Sequence, residues 1–341
     1  MKRRYLIGLI LLFNSYIGIS QDVQFTQYYA APMYLNPAFA GTTPHHRFIL
    51  NYRNQWPNLP RGFVNYTFSY DYNMSHLKSG IGVMASVDRA GSANLQTTNL
   101  GIIYAYKVQL HDKWVFSPGL YFGLGTKNID FNKLVFGDQL EFDDQGNVPT
   151  QDLAVSQNID TQGYIDVGSG FLIYNKNIWA GASFYHINKP NQSLLGEESE
   201  LPMKTSVHAG IRIPLYHGPF KRARTSSIAP SFVYKSQGNF SQLDLGLHFL
   251  YEPVMIGLWY RGIPIKQNAI ENVSQDAMAI ILGMQFSYLE IGYSYDFTIS
   301  ELGPIAGGAH EVSLQYRFDI EMSRKVKKKD KFIPCPTFMK N

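Results

Sequence analysis

From His45 to Phe318 the chain alternates apolar and polar residues with a period of two, in fourteen successive segments. Val64, Tyr66, Phe68 and Tyr70 fall on one side of such a segment, with Asn65, Thr67, Ser69 and Asp71 on the other, because successive side chains of a strand point to opposite faces. The period recurs in Leu243, Leu245, Leu247 and Phe249 against Gln242, Asp244, Gly246 and His248. It recurs again in Ile291, Tyr293, Tyr295 and Phe297 against Glu290, Gly292, Ser294 and Asp296. Strands of soluble sheets run about 5–6 residues. Many runs here reach about ten, the length a tilted strand needs to cross a bilayer. The pattern predicts an all-β fold: a transmembrane antiparallel β-barrel of about 14 strands, with an N-terminal extension and a periplasmic C-terminal tail.

The predicted strands are 45–53, 62–71, 79–87, 95–106, 113–126, 163–174, 176–186, 203–213, 226–235, 241–250, 253–261, 276–287, 289–297 and 308–318. An even number places both ends of the barrel on one side of the membrane. With the first strand starting in the periplasm, the connections 127–162, 187–202, 262–275 and 298–307 face outward. Those at Asn175, Tyr251-Glu252 and Tyr288 face inward and are tight. Long outside and short inside is the expected asymmetry. The exception is the long, basic inner connection 214–225.

The ends define the domain organisation: 1–20 a signal peptide, 21–44 an N-terminal extension, 45–318 the outer-membrane barrel and 319–341 a basic periplasmic tail. Lys2, Arg3 and Arg4 form a positive region, Leu6 to Phe13 an apolar one, and Gly18-Ile19-Ser20 a small-residue site predicting cleavage near Ser20. The apolar stretch is too short to span a bilayer as a helix, which takes about 20 residues. No cysteine stands at the cleavage point for lipid attachment. The segment 21–44 lacks strand periodicity, is rich in aromatic residues and carries Pro32 and Pro37. It is expected to plug the lumen or line the periplasmic mouth.

Apolar residues make up 45% of the chain, yet its mean hydropathy is slightly negative, as alternation without long apolar runs requires. Aromatic residues reach 14%, with 23 Tyr and 22 Phe, a composition suited to the membrane interface, where one end of the ring is wet. Without Lys2, Arg3 and Arg4, 27 basic residues stand against 26 acidic ones. The tail beyond Phe318 holds seven basic and three acidic residues, so the basic balance belongs to the ends and implies no nucleic-acid partner. Cys335 is the single cysteine and excludes an internal disulfide.

The alternation assigns Asp71, Asp166, Lys204, His208, Arg212, Asp244, His248, Glu290, Asp296, Glu311 and Arg317 to a polar, glycine-rich lumen. Such groups are expected to pair across neighbouring strands. None forms a catalytic motif: there is no G-x-S-x-G, H-E-x-x-H or P-loop. His45 and His46 point to opposite faces and make poor metal co-ligands. No enzyme activity, metal or cofactor is expected. The basic run with Lys327, Lys328 and Lys329, with Phe332, Ile333 and Phe338 beyond it, reads as a docking peptide on the periplasmic side. The inner connection with Lys221, Arg222 and Arg224 faces the same compartment. Phe136 and Asp138, in the longest outer loop, would face an exported substrate or the cell surface.

The chain after the predicted cleavage site reads Gln21-Asp22-Val23-Gln24-Phe25-Thr26-Gln27-Tyr28-Tyr29, then Leu35-Asn36-Pro37-Ala38-Phe39-Ala40-Gly41-Thr42. Tyr52-Arg53-Asn54-Gln55-Trp56 and Leu134-Val135-Phe136-Gly137-Asp138-Gln139 follow, with a Cys-Pro pair near the C-terminus. Together these resemble the PorP/SprF family of type IX secretion system outer-membrane proteins of Bacteroidetes. Val23 stands where that family often has Pro. The resemblance implies a non-enzymatic outer-membrane component whose partners are the lipid bilayer, periplasmic and outer-membrane secretion subunits, and a secreted client bearing a conserved C-terminal domain. That client can be a large adhesin used in gliding motility. The competing expectation is an outer-membrane transport barrel for a small apolar ligand, which would need a continuous apolar cavity.

Overall fold

The structure, a computed structural model, describes residues 22–44, 46–59, 62–91, 93–111, 113–130, 134, 161–194, 198–216, 226–267, 273–299 and 304–318. The strands are β1 (His46–Gln55), β2 (Phe63–Met74), β3 (Ser79–Ala90), β4 (Leu95–Tyr106), β5 (Val108–His111), β6 (Trp114–Asn128), β7 (Thr161–Tyr174) and β8 (Ile178–Tyr185). They continue with β9 (Lys204–Ile211), β10 (Ile213–Tyr216), β11 (Ser226–Gln237), β12 (Phe240–Tyr251), β13 (Val254–Gln267), β14 (Val273–Phe286), β15 (Leu289–Thr298) and β16 (Ala309–Phe318). β5 prolongs β4 past Lys107 and β10 prolongs β9 past Arg212, since each pair shares a neighbour. The sheet therefore forms fourteen staves.

Neighbours are antiparallel throughout, and β1 pairs with β16 from His46↔Phe318 to Gln55↔Ala309. β11 pairs with β9 as well as β12, so the sheet closes on itself. In a bilayer that closure is needed, because hydrocarbon offers no partner for a free backbone N–H or C=O. Every predicted strand has a counterpart at nearly the predicted position. Short turns such as Ser75–Leu77 join staves at the end where β1 begins, the inner end. The long links between β6 and β7 and between β8 and β9 lie at the other, outer end.

The alternation in the sequence is the two faces of the barrel. Leu50, Leu100, Ile102, Leu124, Ile165, Leu247, Leu258 and Leu282 point outward and are exposed, forming the apolar band that lipid covers. At the inner end His46 stacks on Tyr72 at 4.2 Å and on Phe318 at 4.9 Å, and Phe48 lies 5.4 Å from Phe318. These rings belong to the interface, where amphipathic aromatics sit at headgroup level.

The inward face divides into two zones. Toward the outer end it carries buried charge: Arg53, Asp166, Lys204, Lys235, Asp244, Asp296 and Glu311. Toward the inner end it is apolar on the staves from β6 to β14, with Val115, Leu172, Tyr174, Trp179, Leu250, Met255 and Ile281 all buried in one cluster, while β1, β2, β15 and β16 carry the buried pairs Arg47–Asp71 and Arg317–Glu290 there. The charged residues assigned to the lumen by the alternation are buried there, apart from the half-buried Arg212, and the apolar cluster stands beside them. An apolar inward residue is affordable at the inner end because a further piece of chain covers it.

Candidate functional site

That covering piece is the segment of residues 22–44, which runs inside the barrel from the outer half to the inner end, where β1 starts. It is an irregular chain built on a 3-10 turn (Tyr28–Ala30), a four-residue helix (Pro32–Leu35) and a second 3-10 turn (Pro37–Phe39). Pro32 and Pro37 each start one of these turns, where a missing N–H costs nothing. Met33, Ala38 and Ala40 are fully buried, and Leu35 and Phe39 nearly so. Leu35, Ala38 and Phe39 meet the apolar inner zone, Met33 and Ala40 belong to a second cluster with Met84, Ile103 and Tyr121, and each large side chain so covered contributes about 1.5–3 kcal/mol.

The irregular backbone has few partners of its own, so the barrel wall supplies them. The Glu311 carboxylate accepts the N–H groups of Thr26 (2.8 Å) and Gln27 (2.9 Å). The Thr26 hydroxyl bonds to Asp296 and receives Arg53 at 3.0 Å and Arg261 at 2.8 Å. Arg53 also reaches Glu311 at 3.0 Å and Asp296 at 2.8 Å. Ser183 donates to Leu35 O at 2.6 Å, and the Tyr185 hydroxyl to Met33 O. The Asn36 amide donates to Phe171 O and Ala182 O while its oxygen accepts from Ala38 N. Lys107 binds Gly41 O, and Asp71, clamped by Arg47 at 2.7 Å, accepts Gly41 N at 2.8 Å.

Close approach of backbone to wall depends on glycine. A Cβ at Gly119 would lie 2.4 Å from Ala38 N, and one at Gly80 2.1 Å from Ala40 O. Gly41 sits at φ +65, which favours glycine, and itself lies against Gly80.

At the outer end the segment is held by charge. Asp22 Oδ2 lies 2.9 Å from His186 Nε2 and 3.2 Å from Lys204 Nζ. Gln237 Nε2 donates to Asp22 Oδ1 at 3.3 Å, and Asp22 N donates to Gln237 Oε1 at 3.0 Å. His186 Nδ1 lies 3.0 Å from Asp166 Oδ1, and Lys204 Nζ sits 4.2 Å over the Tyr34 ring. Burial opposes charge on Asp22, but Lys204 and His186 outweigh it and hold the carboxyl well below the usual range. Burial also opposes the charge on His186, yet Asp22 and then Asp166 raise it to about 9.

The His186 contribution is therefore full below its ordinary 6.5 and lost as pH rises through about 9. That of Asp22 is full above its ordinary 3.8 and fades only in stronger acid. Hydrogen exchange at residues 22–26 is expected to stay slow near neutral pH and to gain an opening-linked acceleration above about 9. The comparison is with His186→Gln, which should lack that step.

Above the segment a cavity of about 740 Å³ opens toward the outer end. Asp22, Val23, Gln24 and Tyr34 help form its floor, and Asn65, Asp88, Asn99, Tyr164, Lys127 and Gln237 stand in its wall. Sequence reasoning placed Asp166, Lys204, Asp244, Asp296 and Glu311 in the lumen but missed Asp22, Arg53, His186, Lys235 and Arg261. The expected partner residues Phe136, Asp138, Lys221, Arg222, Arg224, Lys327, Lys328, Lys329, Phe332 and Phe338 lie outside the described residues, as do the signal peptide and its cleavage site.

Comparison with solved structures returns outer-membrane barrels. The Pseudomonas putida toluene transporter TodX is 11% identical, with a TM-score of 0.48 over 84% of this chain and 93% of that one. BamA from Haemophilus ducreyi is 9% identical, with a TM-score of 0.40 over 80% and 70%. CdiB from Acinetobacter baumannii is 7% identical, with a TM-score of 0.43 over 81% and 60%. No curated protein matches the chain. The model of the type IX secretion system membrane protein family PorP/SprF matches residues 17–316. That span takes in the segment inside the barrel and nearly all of the wall that grips it, and the chain belongs to this family.

Proposed function

We propose that this protein is an outer-membrane component of the type IX secretion machinery that supports secretion or surface attachment of a client, such as an adhesin, as a closed docking body. Family membership supports the secretion role. The observation that carries the closed-body reading is that residues 22–44 run buried through the lumen from its outer half to its inner end and bond to its wall at many points. The segment acts as a plug, and the buried ion pairs hold it and the wall together. Each charged group in them is spent on another or on the plug. A transporter of small apolar ligands would need a continuous apolar path. The cavity at the outer end instead ends on the plug, and its lining mixes charged and amide side chains with Trp56, Phe63, Met84 and Phe240.

In this reading the tail, with Lys327, Lys328, Lys329, Phe332 and Phe338, and the connection with Lys221, Arg222 and Arg224 face periplasmic subunits. Phe136 and Asp138 face the client. Affinity purification from gently solubilised outer membranes is expected to recover secretion subunits or a large client. Deleting 321–341 should leave the barrel inserted and reduce recovery of the periplasmic partners several-fold. Recovery of the barrel alone from the intact protein would overturn the reading.

A further inference from the structure

The mode of holding Asp22 differs from that of the rest of the plug. The inner part is fixed by apolar burial and backbone contacts. The outer tip is fixed by one carboxylate received by His186, Lys204 and Gln237, which come from the outer ends of three staves. These receiving groups are buried, whereas the Asp22 side chain keeps 21% of its surface exposed. The same residues line the 740 Å³ cavity, so the site is filled from below by the plug and open to the cavity from above.

The wall also shows what kind of molecule it receives. Backbone is already bound in this lumen through a wall side chain: Glu311 takes two successive N–H groups, those of Thr26 and Gln27. The cavity wall continues that chemistry with Asn65, Asn99, Gln192 and Gln242, and with Tyr121 and Tyr164. Amide and hydroxyl groups, both signs of charge and the apolar side chains of Trp56, Phe63, Met84 and Phe240 together match a peptide, which presents all of these chemistries. Lys127 reaches a glutamine oxygen, Gln192 Oε1 at 3.3 Å, and adds a cation to the same wall.

We infer that the outer cavity is a binding site for an extended polypeptide segment bearing a carboxylate, which enters from the outer end and competes with Asp22 for His186, Lys204 and Gln237. The site is a carboxylate receptor occupied in cis. A segment of the exported client is the source that the secretion reading supplies, and the inference rests on that reading for the source alone. Binding would release residues 22–24 while the apolar inner part of the plug stays seated.

The test uses the full-length protein in detergent and the heptapeptide Gln-Asp-Val-Gln-Phe-Thr-Gln, the sequence of residues 21–27, with its Asp→Asn form as control. Asp22→Asn removes the resident charge while leaving the receptor groups in place and is expected to strengthen binding of the acidic peptide at least about tenfold, the factor that 1.4 kcal/mol represents. Lys204→Gln removes a receptor group and is expected to weaken it, so the two variants move in opposite directions. Damage to the fold would move both the same way, and heat-modifiable mobility on gels checks that each barrel is intact. Equal binding of the acidic and Asn peptides, or no binding to Asp22→Asn, would overturn the proposal. Because no secretion partner enters the assay, failure here is separable from failure of the co-purification.

Discussion

Arg53→Ala is expected to cost about 3–5 kcal/mol of unfolding free energy, the range for removing one partner from a buried ion pair. Arg53 is the cation between two buried carboxylates, 2.8 Å from Asp296 and 3.0 Å from Glu311, and it also donates to Thr26. Its side chain is 3% exposed and that of Glu311 is fully buried, so water cannot replace the guanidinium. Arg261 still reaches Asp296 at 3.1 Å, which leaves Glu311 as the group that suffers most. Arg53→Lys should recover only part of the loss, since a single ammonium cannot span three acceptors in a planar fork. Adding Glu311→Gln to Arg53→Ala should restore some stability by removing the unpaired charge. Urea unfolding in lipid vesicles measures all three. A loss under 1 kcal/mol in Arg53→Ala would mean that this network does not hold the plug to the wall.

The second large effect concerns the fit of the plug. The double variant Gly80→Ala, Gly119→Ala should leave the barrel folded but force the plug off its seat. Both glycines lie within strands, where alanine is tolerated, so the cost falls on the contact. The added methyl groups would meet Ala40 O at 2.1 Å and Ala38 N at 2.4 Å, and backbone cannot rotate away as a flexible side chain can. Overpacking of this kind costs about 1–3 kcal/mol at each site. It should show as faster hydrogen exchange and new protease cleavage within residues 22–44. An unchanged cleavage pattern would show that the plug lies farther from β3 and β6 than these contacts require.

The staves were legible because one face of every strand meets lipid and the other does not. Val64, Tyr66, Phe68 and Tyr70 alternate for that reason, and their register with β1 and β3 follows from it. The charged lumen residues were legible for the same reason. The apolar inner zone was not. Trp179, Leu250 and Met255 point inward, and an apolar residue at an inward position reads in sequence only as a lapse in the alternation. What justifies it is Tyr28, Tyr29, Leu35 and Phe39, which belong to another part of the chain. The outer anchor was hidden similarly, since Asp22 and His186 are 164 positions apart. The motif residues that carried the family resemblance have acquired physical reasons. Thr26, Gln27, Asn36, Gly41 and Arg53 are the residues through which plug and wall hold each other.

The central claim, a type IX secretion barrel closed by its own N-terminal segment, is tested most directly by conductance of the purified full-length protein in planar bilayers. The account predicts a silent bilayer for the intact protein and opening events in the Gly80→Ala, Gly119→Ala variant. A steady conductance from the intact protein would contradict it.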